Sequence, residues 1–121
     1  MDRPFHLIDV YRHGGVFSVQ LRQAVVDDQE LEELGAEMAR LLDEEGCRKL
    51  VLVLGPEEPR CLYSVFLAKL LNLKKRLEKV GGALAMAQVH PEAYRIFRVM
   101  GLEKFFAFYT STAEAIAALG G

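Results

Sequence analysis

Two short apolar runs constrain the fold of this chain more than any other feature. "RKLVLVLG" at 48–55 and "ALAMAQV" at 83–89 lack polar–apolar alternation. Each therefore reads as a strand covered on both faces. Between them lies "PRCLYSVFLAKLLNLKKRLEKVGG", a loop that becomes a helix over about 62–80 and stops at Gly81-Gly82. Strand, helix and strand joined by tight loops imply parallel pairing through a right-handed crossover.

The flanking sequence extends this unit. "FHLIDVYRHGGVFSVQL" reads as two strands, around 5–11 and 16–22, joined by a hairpin turn at Gly14-Gly15. "DDQELEELGAEMARLLDEEG" then switches to helical period, with Leu31, Leu34, Met38, Leu41 and Leu42 on one face. Asp27 and Glu30 form a capping box for it, and Gly46 supplies the stop. "HPEAYRIFRVMG" is a short helix between Pro91 and Gly101, with His90 placed to cap it. "KFFAFY" is a short strand, and "STAEAIAALGG" is a last helix reaching Leu119, boxed by Ser111 and Glu114. The expected fold is a single α/β domain over 1–121: a mixed sheet with an N-terminal antiparallel hairpin, then parallel strands, packed with about four helices.

Composition narrows the function. The formal charge of −2 leaves no electrostatic footprint for nucleic acid. No apolar run approaches the length needed for membrane insertion, and "MDRPFHLIDVYRH" lacks a leader's apolar region, so a cytoplasmic location is expected. Cys47 and Cys61 form neither a zinc knuckle nor a CxxC pair and read as small thiols. His6, His13 and His90 include no pair at i,i+4 metal-ligand spacing. No nucleophile elbow, P-loop or dinucleotide fingerprint is present, so neither an enzyme nor a cofactor is expected. "GPEEPRC" gathers two carboxylates and a thiol, and reads as a solvated turn.

Charge divides between two helices. Over 27–45 there are nine acidic residues against Arg40 alone, while Lys69, Lys74, Lys75, Arg76 and Lys79 mark the helix over 62–80. Such faces are solvated surfaces that attract one another weakly if adjacent.

The element order, "LVLVLG", a serine opening the next helix, "LKKRLEKVGGALAMAQVHPEAYRIFRVMGLEKFF" and the final "YTSTAEAIAAL" resemble the STAS domain family, whose type members are bacterial anti-sigma-factor antagonists. The resemblance is strongest over 49–119. It implies a non-catalytic regulator that docks an anti-sigma factor or serine kinase, or a subunit of a regulatory complex. In that family the second crossover helix opens with Asp-Ser-Ser-Gly, whose first serine is phosphorylated to release the partner. Here Tyr63-Ser64-Val65-Phe66 stands in that place and only Ser64 matches.

Two readings of Ser64 follow: a phosphoacceptor at a helix start, or a cap or first-turn residue satisfying a backbone amide. The docking surface implied by the resemblance is the loop and helix start at 56–68, with Arg60, Tyr63, Ser64, Val65 and Phe66, bordered by Asp27 and Asp28. Phe66 is either an exposed anchor there or turns inward onto Val53 and Leu84. The alternative function is a structural or accessory STAS subunit of a lipid-transport or stress-signalling assembly, without phospho-switching. A small-ligand pocket near Phe105, Phe106 and Phe108 is a third reading, and self-association into a homodimer is compatible with the sequence.

Overall fold

A computed structural model describes residues 5–22, 27–60 and 64–120. Its strands are β1 (Ile8–His13), β2 (Val16–Leu21), β3 (Lys49–Val53), β4 (Ala83–Ala87) and β5 (Ala107–Tyr109). The helices are α1 (Asp28–Asp43), α2 (Ser64–Lys79), α3 (Pro91–Val99) and α4 (Thr112–Ala118). All five strands form one sheet in the order β1-β2-β3-β4-β5. The hairpin is antiparallel, with His13 opposite Val16, and every later pair is parallel. This is the mixed sheet expected from the sequence.

The continuous apolar character of β3 and β4 follows from cover on both faces. Leu50, Leu52, Leu84 and Met86 point to one side, beneath α1, α2 and α3, in a core that includes Leu31, Leu41, Phe66, Leu70 and Phe97. Val51, Val53, Ala85 and Ala87 point to the other side, where α4 packs through Ala115 and Ile116. The second side is lined by small residues because a short helix must sit close to the sheet.

Capping fixes where helices begin. Asp27 accepts the Glu30 N–H at 2.8 Å, and Glu30 accepts the Asp27 N–H at 3.2 Å, completing the box. The His90 imidazole accepts the Glu92 N–H at 3.0 Å. Ser111 accepts the Glu114 N–H at 3.1 Å, but the Glu114 carboxylate takes the Thr110 hydroxyl instead of closing a reciprocal box. The last strand is shorter than "KFFAFY": residues 102–106 are spent on the turn that leaves α3, so only Ala107–Tyr109 pair with β4. The facing charges of α1 and α2 do meet, through Arg76–Asp43 at 2.6 Å and Lys69–Glu32 at 3.6 Å.

Glu37 is the buried charged residue of α1. Its carboxylate accepts the backbone N–H groups of His6 (2.6 Å) and Leu7 (3.0 Å), tying the chain before β1 to the helix.

Candidate partner-binding site

The parallel strands all point their carboxyl ends one way, and the loops leaving them share that end with the starts of α1 and α2. The β3–α2 loop is held tightly at its base. Leu54 donates its N–H to Ala87 O at 3.3 Å and accepts from His90 N–H at 2.9 Å, which zips this loop to the one after β4. At Gly55 an added Cβ would stand 1.8 Å from Gln88 O, so only glycine allows the two backbones to pass. The Gln20 amide donates to Gly55 O at 3.2 Å from β2. The Gly55–Pro56 peptide bond is cis.

Above this base the loop is exposed. Pro56, Glu57, Glu58 and Arg60 face outward, while Pro59 tucks in. A crevice of about 270 Å³ lies between the loop and the end of β2, lined by Asp9, Gln20, Arg22, Gly55 and Glu57 among others. Arg22 and Asp9 pair across its wall at 2.9 Å.

Ser64 is exposed and is the first residue of α2. Tyr63 and Cys61, which precede it, lie outside the described residues. Val65 stands 52 % exposed beside it. Phe66 does not: it is 1 % exposed and belongs to the core under α1 and α2, together with Leu84. The exposed-anchor reading of Phe66 is therefore corrected to the inward one. Val53 is not its neighbour, because that side chain points to the α4 side of the sheet. Asp27 is engaged as the cap of α1, and Asp28 follows it, exposed.

The aromatic residues near β5 pack on one another. Phe97 meets Phe106 and Phe108 edge to face at 5.6 and 5.5 Å, and Tyr94 meets Phe108 at 5.0 Å. Phe106 is thereby buried and Phe108 packs against the core, while Phe105 stands exposed.

One constellation escaped the sequence reading. His6, Glu33 and Glu37 bring potential metal-ligand atoms within 4.8 Å of one another. The signal was Glu33 and Glu37 at i,i+4, which histidine spacing alone does not reveal. Both Glu37 oxygens already accept amide hydrogens, and His6 Nδ1 lies 2.9 Å from Glu33, so the cluster acts as a clamp on the chain entering β1.

The thiol of Cys47 is buried against the core, and burial pushes its pKa up to about 11, with Arg12 opposing the shift. A thiol whose folded pKa exceeds its unfolded value of 9.0 contributes stability that is fully present below pH 9. That contribution falls as pH rises through 11, because the unfolded chain ionises first. Denaturation of wild type and Cys47→Ala across pH 8–11 is expected to show their stability difference shrinking by about 2 kcal/mol toward the alkaline end. A constant difference contradicts this.

With this geometry in place, the STAS domain family model matches residues 8–115. The chain belongs to the STAS domain family. Similar solved structures agree with the STAS fold throughout. An anti-sigma factor antagonist from Mycobacterium paratuberculosis is 22 % identical, with TM-score 0.77 and full coverage of both chains. A STAS domain protein from Planctomyces limnophilus is 19 % identical, with TM-score 0.78, covering 94 % of this chain and 98 % of that one. The Bacillus cell fate determinant SpoIIAA in its phosphorylated form is 17 % identical, with TM-score 0.68 and coverage of 92 % and 97 %. Among curated proteins no sequence match was found. No helix among the described residues is long and apolar enough to cross a membrane.

Proposed function

We propose that this STAS domain is a non-catalytic regulator that docks a protein partner of the anti-sigma factor or serine kinase type. The contact would be made by Arg60, Tyr63, Ser64 and Val65, bordered by Asp27 and Asp28. The observation that carries this reading is the contrast within one loop. Its base is locked by Gly55, Gln20 and Leu54, while its tip and the start of α2 stand exposed. A rigid exposed turn loses little conformational entropy on binding.

Ser64 is the switch in this proposal. A phosphate at the first position of a helix meets unpaired backbone N–H groups and the positive end of the dipole, so the fold tolerates it. At the contact surface the same group adds close to two negative charges, which a docked partner must desolvate or repel. Inward packing of Phe66 leaves Ser64 and Val65 clear of its ring. SpoIIAA, a structural neighbour, is described in both phosphorylated and unphosphorylated forms.

Affinity capture with mass spectrometry tests both parts. Wild type and Ser64→Ala are expected to retain the same anti-sigma-type protein, while Ser64→Asp retains about tenfold less. Val65→Glu with Arg60→Glu is expected to lose it. Equal retention by Ser64→Asp removes the switch and leaves the accessory-subunit reading. Undiminished binding by the second variant removes the surface.

A further inference from the structure

The opposite end of the molecule has a different chemistry. Four of the seven large apolar side chains exposed among the described residues gather there: Val80, Val99, Met100 and Phe105, each 48 to 71 % exposed. Their proximity follows from topology. β4 and β5 pair in parallel with Ala85 opposite Ala107, so the segments entering them, 80–82 and 100–106, lie side by side at the amino end of the sheet.

The turn after α3 forces these side chains out. Gly101, at φ +73°, ends the helix. Leu102 donates its N–H to Phe97 O at 2.7 Å, and Phe105 donates to Leu102 O at 3.0 Å. Within this tight path Phe106 is buried and Leu102 packs against the core, which leaves Met100 and Phe105 projecting.

Cations surround the apolar group. Lys79, Arg98 and Lys104, the immediate chain neighbours of Val80, Val99 and Phe105, are exposed, and none has an acidic partner among the described residues. Of the nearby acids, Glu78 is bonded to Lys74 at 2.7 Å, and Glu103 is half-buried with one carboxylate oxygen enclosed. The acidic last turn of α1 reaches the same end of the molecule, where Asp43 is paired with Arg76 of α2 and, just past the helix, Glu45 faces Arg12 of β1.

Projecting apolar side chains ringed by unpaired cations complement a surface that is anionic outside and apolar beneath. A second copy fits poorly, since a two-fold contact here sets Lys79, Arg98 and Lys104 against themselves. A partner helix would need a groove, whereas these residues stand out from helix ends and a turn. We propose that this end docks peripherally on a membrane bearing anionic phospholipid headgroups. Val99, Met100 and Phe105 enter the interfacial layer and Lys79, Arg98 and Lys104 meet the headgroups. The loop at 56–60 and Ser64 then face away from the lipid, free for a protein.

Sedimentation with vesicles of equal parts phosphatidylglycerol and phosphatidylcholine tests this. Wild type is expected to bind them, to bind pure phosphatidylcholine about tenfold more weakly, and to release as salt rises. Arg98→Glu with Lys104→Glu, and separately Met100→Ser with Phe105→Ser, should each weaken binding about tenfold or more. Val65→Ser, at the far end, should leave it unchanged. All these positions are exposed, and unaltered circular dichroism confirms that the variants fold. Wild type remaining in the supernatant, or charge reversal without effect, overturns the proposal. If wild type ignores vesicles but is held by immobilised polyglutamate, the end belongs to an acidic protein and the membrane proposal fails.

Discussion

Phe66→Ala is expected to cost about 3–5 kcal/mol of folding stability, with a fall in thermal midpoint of more than about 10 °C. The ring is fully enclosed in the layer between sheet and helices, among Leu34, Leu70 and Leu84. Truncation loses its transfer free energy and leaves a cavity that a sheet pinned on both faces cannot close. Val65→Ala, one residue earlier and exposed, should move stability by no more than about 0.5 kcal/mol. Denaturant titration of the two variants measures the difference directly. A loss below about 1 kcal/mol for Phe66→Ala means the ring is not packed as described.

Gly55→Ala is the second large effect, expected at about 3 kcal/mol. The new methyl would meet Gln88 O at 1.8 Å, with Gln88 C and His90 N at 3.0 and 3.2 Å. All three are backbone atoms, so no side-chain rotation relieves the clash and the two loops must separate. Gly35→Ala offers the contrast. Its nearest contact is the Lys69 Nζ at 3.1 Å, the tip of a flexible chain, and alanine favours a helix interior by about 1 kcal/mol. That variant should be neutral or slightly stabilising. Gly55→Ala should also reduce capture of the proposed partner at temperatures where the protein remains folded, because the base of the docking loop has moved. Unchanged stability and capture together contradict the close backbone crossing.

The strands and helices were legible because each carries a local physical signal. Uninterrupted apolar runs marked the doubly covered strands, and Asp27, His90 and Ser111 marked helix starts through hydrogen bonds made within a few residues. Phe66 was legible in principle, since it recurs with Leu70, Leu73 and Leu77 at helical spacing and all four are buried. The short β5 was harder to foresee, because Phe105 and Phe106 suit a strand and only the turn after Gly101 withdraws them. The crossing of Gly55 with Gln88 joins residues far apart in sequence, so no local pattern announces it.

Spatial order in the sheet repeats chain order, β1 through β5, without exception. Every strand is therefore added to a border that already exists, and none has to wedge itself between two established neighbours. A chain emerging from the ribosome can build this sheet by accretion, each crossover laying down one helix and one new margin. Synthesis and assembly then proceed in the same direction.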